Sequence, residues 1–179
     1  MTKLLGISGS LRTESVNSKL VREAARLYGE ADFKEANIKL PLYNGDDEDR
    51  QGLPDNVLKL VSEISNADGV IISTPEYNAG ITGVLKNALD WVSRHKPSPW
   101  VGKPVVVMSA AAGRAGGIRA QTMLRSCMTS FSVRIVPGSE VAIAGAGSEF
   151  DAHGQLISER YTASVERLMQ ALRREIEAR

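Results

Sequence analysis

Between positions 8 and 18 the chain reads Ser-Gly-Ser-Leu-Arg-Thr-Glu-Ser-Val-Asn-Ser, which crowds hydroxyls, an amide and a guanidinium into one short stretch. It follows the apolar run Leu4-Leu5-Gly6-Ile7 and precedes Leu20, Ala24 and Leu27, spaced as on one face of a helix. A strand-to-helix loop of this composition suits an anion. The helix start offers unpaired backbone N–H groups and the positive end of its dipole. Ser10, Ser15 and Asn17 add neutral donors, and Arg12 adds a fixed charge whose planar fork of donors matches phosphate. The loop is therefore read as the holder of a cofactor's phosphate.

Two further loops leave the ends of apolar runs: Pro75 to Gly80 and Ala110 to Gly117. In open α/β sheets ligands sit outside the carboxyl ends of the strands, so all three loops converge on one crevice. Backbone N–H groups beside Tyr77, Asn78, Gly113 and Gly116 suit the face or edge of a flat heterocycle. Few acids or bases fit for chemistry accompany them, which places the reaction on a cofactor. Other nucleotide motifs fail. There is no G-x-x-x-x-G-K-[ST], and Gly145-Ala146-Gly147 is followed by Phe150 where G-x-G-x-x-G needs glycine. Gly6-Ile7-Ser8-Gly9-Ser10 misses the hydrolase elbow G-x-S-x-G. His95 and His153, the two histidines, fall in loops and are read as solvent-exposed, and without a Cys or His cluster no metal site is expected.

The elements that must position these loops are legible from periodicity. Buried strands are expected over Thr2 to Ile7, Gly69 to Thr74 and Val105 to Ser109, and a weaker edge strand over Phe33 to Leu40. Helices are expected over Val16 to Tyr28, about Pro54 to Asn66, a run carrying Ile81 to Val92, Ile118 to Met128, and about Ser158 to Ala178. Pro41 to Asp55 and Gly145 to Gly154 read as loops, and Val133 to Val136 with Val141 to Ala144 as the last strand material. Alternating strands and helices with continuously apolar strands mean a parallel sheet covered on both faces. Cys127, beside Met123, Leu124 and Met128, is read as a buried structural thiol, and Trp91 as a packing residue.

With 179 residues, 42% of them hydrophobic, the chain is expected to form one domain over positions 1–179. A formal net charge of +1 lacks the basic excess of a nucleic-acid binder. One cysteine excludes an intrachain disulfide, and no apolar stretch reaches the length of a membrane span. A cytoplasmic protein without nucleic-acid or membrane partners is expected.

Three segments resemble one family. Gly9-Ser10-Leu11-Arg12-Thr13-Glu14-Ser15-Val16-Asn17 is similar to its phosphate loop G-S-x-R-x-x-S-x-N. Pro75-Glu76-Tyr77-Asn78 with Leu85-Lys86-Asn87-Ala88-Leu89-Asp90-Trp91 is similar to P-E-Y-N followed by L-K-N-A-[LI]-D-W. Gly113 to Gln121 is similar to G-x-x-G-G-x-R-A-Q. The family is the NADPH-dependent FMN reductases, which include bacterial chromate and quinone reductases and azoreductases. The resemblance implies a flavodoxin-like three-layer α/β sandwich, a five-stranded parallel sheet of order 2-1-3-4-5 with helices on both faces. It implies FMN with its phosphate on Ser10, Arg12, Ser15, Val16 and Asn17. Pro75, Glu76, Tyr77, Asn78, Ser109, Gly113 and Gly116 would line the isoalloxazine. A hydride would pass from NADPH or NADH through FMN to a small acceptor such as a quinone, chromate, an azo compound or free flavin. No side chain is assigned a catalytic role. Glu76 and Tyr77 are the nearest candidates for a proton donor, with loop shaping as the alternative. A homodimer or homotetramer is implied, with the helix carrying Lys86, Asp90 and Trp91 near the subunit contact. The rival class is a flavodoxin-type electron carrier or a flavin-based redox sensor. Arg12 and the near-neutral charge speak against the carrier. The alanine run Ala110-Ala111-Ala112 departs from the family's more polar turn.

Overall fold

A computed structural model describes residues 1–178. Strands β1 (Lys3–Ser8), β2 (Asp32–Glu35), β3 (Gly69–Thr74), β4 (Pro104–Ala110), β5 (Arg134–Ile135) and β6 (Val141–Ile143) form one sheet. Its order is β2-β1-β3-β4-β5, with β6 also paired to β4, and every pairing is parallel. This is the flavodoxin-like order. The registers Leu5↔Val70 and Ile72↔Val107 run through the middle of the sheet. Strands β3 and β4 are buried along their whole length, as the continuous Val/Ile runs require of strands covered on both faces.

Because successive side chains in a strand face opposite ways, the sheet feeds two cores. Leu5, Ile7, Val70, Ile72, Val105 and Val107 face α3 (Asp55–Asn66), α4 (Gly83–Arg94) and α5 (Ile118–Met128). Leu4, Ile71, Val106 and Met108 face α1 (Val16–Tyr28) and α6 (Glu159–Glu177). Each fully buried Val, Leu or Ile contributes roughly 1.5–3 kcal/mol relative to exposure. Helix α1 lies so close to β1 that a Cβ on Gly6 would stand 2.2 Å from Val21 Cγ1. The start of α1 meets the sheet's carboxyl edge, where the Asn17 side chain bonds Ala110 and Ser73.

Three expectations need correction. The edge strand stops at Glu35, short of Leu40. Ala36 N–H still donates to Gly6 O at 2.8 Å, but Asn37 Oδ1 then accepts from Lys39 N–H and turns the chain off the edge. The stretch read as a loop from Pro41 to Asp55 contains a helix, α2 (Gly45–Gln51), which buries no residue and so carries no apolar period. It is held by its ends: Asn44 caps it, Asp46, Asp47 and Glu48 face the positive dipole end, and Gly52 closes it at φ +73°. The last strand material is two short strands sharing one partner. β5 pairs with Pro104 and Val105, and β6 takes over at Met108 to Ala110. Trp91 is buried, with its indole N–H donating to Pro41 O at 2.8 Å. Cys127 is half-buried against the α4/α5 core, and His95 is half-buried with Nδ1 3.0 Å from Pro97 O.

Candidate functional site

The first loop is fixed at both ends. Gly9 N–H donates to Ser73 O at 2.7 Å, and Thr82 Oγ1 donates to Gly9 O at 2.6 Å. Ser15 caps α1, its Oγ accepting from the N–H groups of Asn17 and Ser18. Ser10 Oγ accepts from Arg12 N–H at 3.3 Å. The N–H groups of Leu11, Thr13, Glu14 and Val16 have no acceptor among the described residues. The Arg12 side chain is exposed and makes no ion pair among the described residues, whereas neighbouring Glu14 is paired with Lys19 at 3.3 Å. A helix start with several unpaired N–H groups and one uncommitted guanidinium is a cradle for an anion.

Asn17 does something different from what its place in the loop suggests. It is 1% exposed. Its Nδ2 donates to Ala110 O at 2.9 Å, and its Oδ1 accepts from Ala110 N–H at 3.0 Å and Ser73 Oγ at 2.8 Å. The side-chain amide thus pairs with the last residue of β4 just beyond the end of β3, as a further peptide of β3 would. It ties the start of α1 to two strands and is directed into protein.

The second loop is a two-residue hairpin. Tyr77 N–H donates to Gly80 O at 3.0 Å and Gly80 N–H to Tyr77 O at 3.1 Å, with Asn78 and Ala79 at φ +51° and +63°. Two positive φ values mark a type I′ turn, and Ala79 holds its conformation at a steric cost. Glu76 accepts from Arg119 N–H at 3.1 Å and pairs with its guanidinium at 3.2 Å. Its carboxylate therefore sits at the positive end of α5 and is committed to holding the second loop to the third.

The third loop rests on Ser109. That hydroxyl is buried, donates to Gly116 O at 2.6 Å and accepts from Gln121 Nε2 at 2.8 Å, which also donates to Val141 O at 2.8 Å. Gly116 has φ +60°, and a Cβ there would lie 2.6 Å from Ala142 C, so only glycine fits. A Cβ on Gly113 would meet nothing within 4 Å. Ala111 N–H donates to Ile143 O at 3.0 Å and Ala111 O accepts from Ala146 N–H at 3.1 Å, which docks the alanine run on β6 and the short 3-10 turn after it.

Between the three loops lies a cleft of about 560 Å³. It brings together Ser10, Arg12, Ser15, Val16, Asn17, Pro75, Glu76, Tyr77 and Gly113 from the sequence-derived set. Asn78 lies outside it on the hairpin, and Ser109 lies beneath, acting on the loop through Gly116. Gly116 lines an adjoining hollow of about 260 Å³ with Arg114 and Arg119. Lys19, Ala146 and Gly147 also line the main cleft and were not foreseen. Lys19 follows the recognised loop by two residues. Ala146 and Gly147 belong to a stretch that matches no nucleotide motif, and only the docking of Ala111 beside them brings them in.

A family model described as NADPH-dependent FMN reductase matches residues 2–148. The chain belongs to that family. An NAD(P)H-dependent FMN reductase of Pseudomonas aeruginosa is 41% identical over 172 residues, covering 95% of this chain and 92% of the relative. A 2-hydroxy-1,4-benzoquinone reductase of Burkholderia is 37% identical, covering 88% and 86%. The solved structure of FerB, a flavoenzyme NAD(P)H:(acceptor) oxidoreductase of Paracoccus denitrificans, superposes with a TM-score of 0.89 at 30% identity, covering 99% and 98%. A WrbA-like flavodoxin of Agrobacterium tumefaciens, at 17% identity and a TM-score of 0.63 with 98% and 99% covered, shares the fold.

The residues present fit the flavin that this FMN reductase family uses. The first loop supplies uncommitted donors of the type a phosphate takes, and the other loops leave a hollow of the size of small-molecule sites, roughly 300–1,000 Å³. Ala111, Ala112 and Gly113 present small side chains and backbone along one wall, so a planar ring can approach without displacing bulk.

Proposed function

We propose that this FMN reductase binds FMN in the main cleft and passes a hydride from NAD(P)H to a small acceptor, with quinones the favoured class. The convergence of three loops on one cleft at the carboxyl edge of the sheet carries the reading. The phosphate is assigned to the N–H groups of Leu11, Thr13, Glu14 and Val16 and to the Arg12 guanidinium. Ser10, Ser15 and Asn17 act mainly by shaping that segment, since their side chains make the hydrogen bonds described above. The ring is assigned to the space between Tyr77 and the Ala111 to Gly113 wall. FMN, when bound, supplies the two-electron carriage that no side chain here provides. The chain's own residues orient and exclude. Tyr77, 51% exposed and lining the cleft, would cover one side of the ring and leave the other to a planar substrate. The N–H groups of Ala112 and Gly113, without an acceptor among the described residues, would favour negative charge at a ring edge placed beside them. Glu76, committed to Arg119, is assigned no proton.

We assign the protein to the cytoplasm and expect a homodimer or homotetramer. Light scattering on a size-exclusion column checks the assembly. The decisive experiment is the absorbance spectrum of the purified chain, followed by NADPH and NADH oxidation with a quinone. The expected result is a bound-flavin spectrum and acceptor-dependent turnover. A flavin-loaded protein that turns over no acceptor would refute the enzyme reading and favour an electron carrier.

A further inference from the structure

Helix α5 grips the hairpin of the second loop at two points. Arg119 holds Glu76 at one end, and Met123, four residues on and so on the same helix face, reaches the other. Ile81 N–H donates to Met123 Sδ at 3.4 Å, and a Cβ on Gly80 would stand 2.8 Å from that sulfur. The absence of a side chain at Gly80 is what lets the sulfur lie against the hairpin backbone. We propose that Met123 is a site of reversible oxidation by a hydroperoxide, and that its sulfoxide loosens the hairpin that carries Tyr77. The effect on turnover rests on the seat of the ring beside Tyr77; the oxidation itself does not.

Access selects this sulfur. Met123 is 40% exposed, whereas Met108, Met128 and Met169 are at most 1% exposed. Met1, the other exposed methionine, stands before β1 at the amino edge of the sheet, away from the loops. The one thiol, Cys127, is half-buried. The chemistry needs no activating residue. A lone pair of the thioether attacks the outer oxygen of the hydroperoxide, the S–O bond forms and the O–O bond breaks. Sulfur is oxidised by two electrons, and the departing oxygen keeps its electron pair, takes the proton and leaves as water or an alcohol.

The hairpin is sensitive to what lies under it. Asn78 and Ala79 sit at φ +51° and +63°, a conformation that persists only while its surroundings enforce it. A thioether is apolar and a weak acceptor, whereas a sulfoxide is polar and its oxygen stands one bond beyond the sulfur. An oxygen that takes over the Ile81 N–H pushes the sulfur off Gly80. An oxygen turned to water leaves that N–H with a poorer acceptor. In both arrangements the grip of α5 weakens at Gly80 and Ile81 while the Glu76–Arg119 pair stays. Tyr77 is thereby loosened without loss of the fold.

The test applies hydrogen peroxide to the FMN-loaded protein and to Met123→Leu, a swap of similar volume without an oxidisable sulfur. Tryptic mass mapping reads the site directly, because the peptide Ala120–Arg125 contains Met123 and no other sulfur. That peptide gains one oxygen before those carrying Met108, Met128 or Met169. The KM for a quinone then rises about three- to tenfold, the effect of one weakened hydrogen bond, at unchanged FMN content. Methionine sulfoxide reductase reverses both changes, and Met123→Leu shows no rise in KM on the same treatment. Hydrogen exchange of the Tyr77 to Ile81 amides, faster after oxidation, reads the loosening without any turnover. No oxygen gained at Met123 in the folded protein overturns the site. Oxidation that leaves exchange unchanged, or an equal KM rise in Met123→Leu, overturns the coupling to the hairpin. Faster exchange in a chain that turns over no acceptor supports the oxidation switch and overturns the enzyme reading alone.

Discussion

Replacing Asn17 by alanine tests whether its amide is a strut or a ligand. The substitution removes three hydrogen bonds of 2.8 to 3.0 Å in a fully buried setting. It leaves the N–H and C=O of Ala110 and the hydroxyl of Ser73 facing the space beyond the end of β3. At roughly 1 kcal/mol net per bond, the loss is about 3 kcal/mol, and the stranded groups raise rather than lower that figure. For a chain of this size each kcal/mol moves Tm by about 2–4 °C, so a fall of about 6–12 °C is expected. The melt is followed by circular dichroism on flavin-stripped protein, because bound ligand would stabilise the native state by mass action. A fall of less than about 2 °C, accompanied by lost flavin affinity, would refute the strut and make the amide a direct phosphate ligand.

Arg12→Ala leaves the Tm of the flavin-free protein unchanged, because the side chain is exposed and unpaired, but weakens FMN binding about 10- to 150-fold, equivalent to a charge-assisted contact of about 1.5–3 kcal/mol, read by fluorescence titration. Gly116→Ala, at φ +60° and against Ala142, lowers Tm and flavin affinity together, whereas Gly113→Ala, which meets nothing within 4 Å, leaves Tm alone and alters only binding. Asp151 is held below the ordinary carboxylate range chiefly by the Gln155 N–H, with His153 N–H adding to it. Its contribution is present above the unfolded value of about 4 and disappears as pH falls through the lower folded value. Asp151→Asn is therefore less stable than the parent at neutral pH, and melts across the acid range should show the two curves converging; a constant gap would contradict the assignment.

The sandwich was readable because Val70-Ile71-Ile72 and Val105-Val106-Val107 are unbroken apolar runs, and because Val57, Leu60, Val61 and Ile64 repeat at helical spacing. Apolar period was silent on α2, whose seven residues bury nothing and are fixed by Asn44, three acids and Gly52. It was equally silent on β5 and β6, each too short to show alternation and defined only by which part of β4 they meet. At the site, residue types located the loops but not the direction of their side chains. Ser15, Asn17, Glu76 and Ser109 all stand at the cleft or just under it, yet each is turned toward a cap, a strand or a neighbouring loop. Those directions are set by long-range partners such as Ala110, Arg119 and Gly116, which lie 93, 43 and 7 positions away.

The handover of β4 from β5 to β6 makes one side of the cleft adjustable. The loop after β1 is anchored to β3 and to Thr82, and the hairpin to α5 through Glu76, so both are set by the body of the protein. The alanine wall is tied to the body at Ala110 through Asn17, but beyond it hangs on Ile143 and Ala146, at the far end of a short peripheral segment that rejoins the sheet at Val141. Lengthening or shortening the chain between Ile135 and Val141 would shift that wall without disturbing a strand of the central sheet. The breadth of the slot open to an electron acceptor can thus vary among proteins of this architecture independently of the machinery that holds the phosphate.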